Sequence, residues 1–337
     1  MRSWVVDHPG PVTSTAPLVR LDRDEPEPGP GEIRVRVSTC GVCRTDLHLA
    51  EGDLAPHHAR ITPGHEVVGV VDACGDGAPR FAIGDRVGIA WLRHTCGVCR
   101  FCARGDENLC VDPRFTGWDA HGGYAEAAVV DEQYAYAIPS VFDDEHAAPL
   151  LCAGIIGYRA LRRSALPPGG ALGVYGFGGS AHLAAQVALH EGATVHVFTR
   201  SRAAQRRALE LGCASAQDES APSPEPLQSA IVFTPVGTSV PRALDALDAG
   251  GVAAIAGIHL SDIPSLSYER DLFRERELRS VTANTRRDGE EFLALAAQIP
   301  IQVTTTPFPL DRADEALRAL ATHQVAGAAV LHVEGTT

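Results

Sequence analysis

The chain is 337 residues long, 45% hydrophobic and 21% charged, as in ordinary globular proteins and unlike disordered ones, and it is long enough that two domains are expected. Its net charge is −13 without a long basic run, which argues against a nucleic-acid partner. Residues 1–20 hold charges and prolines without an apolar core, and no apolar run approaches membrane-spanning length, so a cytoplasmic protein with no membrane partner is expected.

In chain order, the first part reads as β-rich. Residues 26–31 form a proline- and glycine-rich turn, and residues 33–38 alternate apolar and polar side chains at the period of a half-buried strand. The run Gly41-Val42-Cys43-Arg44-Thr45-Asp46-Leu47-His48 follows, and then Gly64-His65-Glu66-Val67-Val68-Gly69, which opens an apolar, strand-like stretch over 66–73. A thiolate and a neutral imidazole are ligands that zinc prefers, and a catalytic zinc takes three protein ligands with one position open. Cys43 and His65 supply two, and Cys152 in Leu150-Leu151-Cys152-Ala153-Gly154 is the candidate third. Alone, each residue reads more simply as buried packing; the motifs together favour the metal.

Cys96-x-x-Cys99-x-x-Cys102 with Cys110 is a second cluster. Four thiolates close a tetrahedron and leave no open position, the mark of a structural zinc. A nucleic-acid zinc ribbon is disfavoured by the acidic charge, and a redox pair by the lack of a thioredoxin-like context. Of nine cysteines, Cys40, Cys74 and Cys213 remain as reduced thiols. Trp91 and Trp118, beside the zinc motifs in sequence, are candidate walls of an apolar substrate pocket.

From Asp143 the chain turns to Ala/Leu-rich helix and then to alternating strands and helices. A strand at 171–175 runs into Gly176-Phe177-Gly178-Gly179-Ser180-Ala181 and a helix over 181–190. Such a turn lets the backbone approach a pyrophosphate at the helix N-terminus, with Ala181 in the third small-residue position. Further strands are expected at 194–199, 229–233 and 252–256, giving a doubly wound dinucleotide-binding domain. Where NAD-specific domains place an acid for the ribose 2′-hydroxyl, this chain has Thr199-Arg200-Ser201-Arg202. With no acid in that run and two guanidiniums, NADP(H) is favoured over NAD(H). Residues 218–226 read as a surface loop without chemistry. A strand is expected at 279–283, a helix to Leu320 capped by Asp311, and a final strand over 325–333.

Gly64-His65-Glu66-x-x-Gly69, with Gly75 and Ala78 at matching offsets, resembles the signature of zinc-dependent alcohol dehydrogenases of the medium-chain dehydrogenase/reductase family, and the run Cys43–His48 resembles the same family. The resemblance implies an α/β chain. A GroES-like catalytic domain would cover 1–146 and 286–337, with a structural zinc lobe at 91–112, and a Rossmann domain would cover 147–285. It also implies hydride transfer between an alcohol or aldehyde and the nicotinamide, nearest the cinnamyl-alcohol branch and hence aromatic or medium apolar substrates. By family position Cys43 is the ligand and Cys40 a packing residue. Thr45 and His48 would relay the proton, Asp46 orient His65, Glu66 lie behind the zinc as an occasional ligand, and Arg44 and Arg286 meet the cofactor pyrophosphate. Ile156 stands where many relatives have threonine. A homodimer through the cofactor domain's sheet edge is expected, tetramers also occurring in the family. A zinc-free quinone or enone reductase on the same fold lacks these ligands, and a non-catalytic relative would show decay of Thr45, His48 or a ligand.

Overall fold

The computed structural model describes residues 1–333. The chain forms two compact units: Met1–Cys152 with Ala283–Ala297 and the chain from Val303 on, and Ala153–Thr282 with Gln298–Gln302. The first divide falls after Cys152, not after 146, and packing explains this. Ala147, Ala148, Leu150 and Leu151 are buried, and Leu151 closes on Gly88 of the strand Arg86–Ile89, where a β-carbon would lie 2.7 Å from its Cδ1. Apolar burial thus ties the segment leading to Cys152 to the first unit.

In the first unit the long strand Glu32–Val42 organises a seven-stranded sheet. It pairs antiparallel with Val67–Cys74, Ala127–Asp131 and Ala328–His332. Ile33, Val35 and Val37 face the core and are fully buried, as the period-two reading required. Gly69 explains one position of the signature. The ladder between the two long strands is irregular at Val37/Thr39, and a β-carbon on Gly69 would stand 2.1 Å from the Arg36 carbonyl oxygen.

The final strand is Ala328–His332, shorter than expected. Asp311 is not a cap either. It lies in a 3-10 turn, Leu310–Arg312, and the helix Ala313–Ala321 starts from Arg312 without a side-chain cap. The Asp311 carboxylate pairs with Arg20 at 3.2 Å and Arg2 at 3.5 Å, stronger partners than backbone N–H groups at an exposed helix start.

The second unit is built on a six-stranded parallel sheet. From one edge its strands are Ser215–Gln217, Thr194–Phe198, Ala171–Tyr175, Leu227–Val232, Leu247–Ile255 and Glu277–Ser280. The last replaces the strand expected at 279–283. The helix Gly179–His190 follows the first strand in sequence and buries Ala181, Leu183, Ala184 and Val187. Among the described residues no helix is long and apolar enough to cross a membrane.

Gly69→Ala is expected to destabilise the first unit by about 1–3 kcal/mol or more, because the added methyl meets backbone that cannot swing aside. Urea unfolding measures this, and an unchanged midpoint would contradict the close strand crossing.

Candidate active site

The site grows from the start of the helix Arg44–Glu51. Cys43 is its N-cap residue in extended conformation, and Asp46 folds back so that its Oδ2 accepts the Cys43 N–H at 2.8 Å. The other carboxylate oxygen accepts the Gly64 N–H at 2.9 Å and lies 3.4 Å from Nδ1 of His65. One buried carboxylate therefore fixes the helix start, the turn before His65 and the imidazole. Gly64 has φ +98°, and a β-carbon there would meet Tyr124 at 2.5 Å, so the turn requires glycine.

Cys43 and Cys152 bring their sulfurs to 3.7 Å. Ligand atoms from Cys43, His65, Glu66 and Cys152 all lie within 4.8 Å of one another. Glu66 fits because Gly41 has no side chain: a β-carbon on Gly41 would lie 1.8 Å from Oε2 of Glu66. Two sulfurs, an imidazole and a carboxylate converging in a buried space suit zinc. The four groups also shift one another's protonation. Hydrogen bonding to Cys152 holds the Cys43 thiol well below its ordinary range, and the same contact, with burial, drives Cys152 up. Burial pulls the His65 imidazole down, but Asp46 and Cys43 together outweigh it and leave the group well above its usual value. Burial raises Glu66 strongly. Cys40 lies outside this cluster, fully buried, with its sulfur packed where a β-carbon on Gly64 or Gly123 would be.

Thr45 and His48 stand one turn apart on the same helix. The Thr45 hydroxyl is 3.9 Å from the Cys43 sulfur, and His48 Nδ1 is 2.9 Å from Asp53 Oδ2. Arg44 is exposed, its guanidinium 3.5 Å from His323. Trp91 meets His65 edge-on at 4.9 Å between centroids and stacks on Phe115 at 4.8 Å. Trp118 completes a cluster, 5.9 Å from Phe115 and 6.0 Å from Trp91, and His57 stacks on Trp118 at 4.1 Å while bonding Asp119 at 2.6 Å. The two tryptophans are thus part of one aromatic cluster beside His65. Phe115, His57 and Asp119 were not singled out by sequence. Phe115 had a signal, as the neighbour of Trp118 in a short strand, Arg114–Phe115, that pairs with Leu92–His94 beside Trp91. His57 had none.

Ligand atoms of Cys96, Cys99, Cys102 and Cys110 lie within 4.8 Å of one another, and none is in a disulfide. Backbone N–H groups point at the sulfurs, from Cys96 and Asp112 to Cys110 and from Cys99 to Cys96, at 3.2–3.4 Å. Backbone hydrogen bonds bring Cys99 down to about 6, while burial raises Cys110 to about 11. This set fits a fully enclosed structural zinc. Arg286, which the resemblance assigns to the cofactor, is engaged beside it. Its guanidinium forks onto Glu107 at 2.7 and 3.1 Å and lies 4.8 Å over the Tyr134 ring.

In the second unit, Gly176 has φ +84° and a β-carbon there would come 3.0 Å from the Thr234 nitrogen. Gly178 starts the helix Gly179–His190 with open space where its side chain would be, and Ala181 is fully buried beneath. Such a turn accommodates a pyrophosphate against Gly178 and Gly179. Thr199-Arg200-Ser201 follows the adjacent strand. Thr199 Oγ1 accepts the Ser201 N–H at 3.4 Å, Ser201 caps the helix Arg202–Glu210, and Arg202 bonds Gln205 at 3.1 Å. Arg200 is exposed, and its Nε lies 3.9 Å from Glu219 of the loop first read as lacking chemistry.

The alcohol dehydrogenase GroES-like domain family matches residues 29–140. A probable alcohol dehydrogenase, AdhA, of Mycobacterium tuberculosis (strain CDC 1551 / Oshkosh) is 58% identical over 98% of this chain and 97% of its own length. Among solved structures, an NAD-dependent alcohol dehydrogenase superimposes with TM-score 0.89 at 27% identity, covering 99% of this chain and 100% of that one. The CAD of Helicobacter pylori complexed with NADP(H) superimposes with TM-score 0.87 at 25% identity, covering 100% of both chains. The chain belongs to the zinc-dependent alcohol dehydrogenases of the medium-chain dehydrogenase/reductase family.

Arg286→Ala is expected to strand the Glu107 carboxylate and lower the thermal midpoint by about 2–4 °C. A weakened dinucleotide affinity with unchanged melting would instead return Arg286 to the cofactor.

Proposed function

We propose that this alcohol dehydrogenase acts on aromatic or medium apolar alcohols and aldehydes with NADP(H), using a zinc held by Cys43, His65 and Cys152. The observation that carries this reading is the convergence of those three ligand atoms, with Glu66 beside them, in one buried cluster. A bound zinc supplies Lewis-acid polarisation of the substrate oxygen, and the nicotinamide supplies or accepts the hydride.

The residues do the remaining work. The Asp46 carboxylate lies 3.4 Å from His65 Nδ1 and keeps the ring oriented, with Nε2 left for the metal. Thr45 carries a hydroxyl that donates and accepts at one atom, so it can take the proton at Oγ1 as the alcohol is oxidised. His48, its Nδ1 paired with Asp53, is the imidazole that passes the proton on to solvent. Glu66 is a fourth donor within reach of the same cluster. The cluster of Trp91, Phe115 and Trp118 offers apolar aromatic surface that suits an aromatic ring.

Gly176, Gly178, Gly179 and Ala181 form the turn for the cofactor pyrophosphate, Arg44 is a further cation for it, and Thr199, Arg200 and Ser201 face the ribose end. The four cysteines from Cys96 to Cys110 hold a second, structural zinc. The strand Glu277–Ser280 ends the six-stranded sheet, and two copies would pair through that edge as a homodimer.

Oxidation of NADPH and of NADH, followed by absorbance over a panel of aliphatic and aromatic aldehydes, tests the reading. Faster turnover with NADPH and with aromatic aldehydes is expected, and faster turnover with NADH would overturn the cofactor assignment. Cys43→Ala is expected to abolish turnover while dinucleotide affinity stays within about twofold. Activity retained in that variant would refute the zinc assignment.

A further inference from the structure

The stretch Thr199–Arg202 contains no acid, yet the fold supplies one. The strands Thr194–Phe198 and Ser215–Gln217 are parallel neighbours, with Phe198 opposite Gln217. The Thr199 N–H bonds the Gln217 carbonyl at 2.9 Å, so the loop after Gln217 leaves the sheet beside Arg200. Glu219 is the second residue of that loop. Its side chain is 10% exposed, whereas that of Arg200 is 79% exposed. The carboxylate is fixed at one oxygen, Oε1, by the Ser239 hydroxyl, and turns the other, Oε2, to Arg200 at 3.9 Å.

In dinucleotide-binding folds of this topology the ribose 2′ group is read at the end of the second strand. Here that end holds an exposed arginine and a nearly buried carboxylate that cannot swing away. The two act in opposite directions on a 2′-phosphate. Arg200 attracts it, while Glu219 both competes for the guanidinium and repels the phosphate, from a position where solvent screens it less than an exposed acid. A 2′-hydroxyl meets neither cost.

We propose that Glu219 is a specificity-determining residue that restrains the preference for NADP(H), holding the enzyme closer to dual cofactor use than Arg200 alone would. This rests on the NADP(H) reading above, in which Arg200 meets the 2′-phosphate. It assigns a function to residues 218–226, and the acting residue lies 19 positions beyond Arg200 in sequence, outside the run that ordinarily reveals cofactor choice.

The test is equilibrium binding of NADPH and NADH, by quenching of intrinsic fluorescence, to wild type, Glu219→Gln, Arg200→Ala and the double variant. Glutamine keeps an acceptor for Ser239, and thermal melting of each variant establishes that it is folded. Glu219→Gln is expected to tighten NADPH by about fivefold or more and to change NADH by less than about twofold. The gain should shrink at high salt, and also in the Arg200→Ala background, since part of it acts through the guanidinium. Should Glu219→Gln melt low, Glu219→Asp, which withdraws the carboxylate by one methylene, is expected to show the same selectivity with a smaller gain. No change, or an equal change for both dinucleotides, overturns the proposal. If wild type binds NADPH no better than NADH and Arg200→Ala alters neither, the NADP(H) reading fails. A selective gain of NADPH in Glu219→Gln would still uphold the role of Glu219.

Discussion

The carboxylate of Asp46 is the contact on which the candidate active site depends. Its two oxygens hold three parts of the chain: the Cys43 N–H at the helix start, the Gly64 N–H in the turn ahead of the signature, and the imidazole of His65. Asp46 is almost fully buried, so the cost of its charge must be met by these donors. The ladder between Glu32–Val42 and Val67–Cys74 brings the segments of Cys43 and His65 together, and the Asp46 contacts fix how the two side chains converge. With them, two ligands are held before any metal arrives, and an ordered set binds a metal with less loss of entropy.

The rest of the first unit completes that frame. The segment packed on Gly88 delivers Cys152 to within 3.7 Å of Cys43, and the bare α-carbon of Gly41 leaves room for Glu66. The signature glycines thus have separate physical reasons. Gly64 adopts a left-handed turn, Gly69 lies against the neighbouring backbone, and Gly41 makes space for a carboxylate. The four-cysteine lobe is anchored in a different way, through the Arg286 fork on Glu107 and the Tyr134 ring.

Local chemistry was legible in the sequence, and long-range neighbours were not. Cys43, His65 and the four-cysteine set stand in short motifs whose spacing carries the metal chemistry, and the alternation at 33–38 and the strand–glycine–helix pattern near 176 revealed both sheets. Cys152 could be named only as a lone cysteine in the right family order. Four features escaped for physical reasons. Glu219 meets Arg200 only because two parallel strands run side by side. Arg286 met a carboxylate 179 residues away in the chain, which no local pattern reports. Asp311, in a good position for a cap by local rules, was drawn to Arg2 and Arg20 on other segments. His57 belongs with these, stacked on a tryptophan that is distant in sequence.

The central claim is that Asp46 organises one metal site while the four cysteines hold another independently. The most direct measurement is metal content per chain after dialysis against graded concentrations of chelator, for wild type and Asp46→Asn. Two zincs per chain are predicted in wild type, one for each candidate ligand cluster. In Asp46→Asn one of them should be lost at about 10–100-fold lower chelator, with the other retained. Loss of both metals together, or curves identical to wild type, would contradict the account.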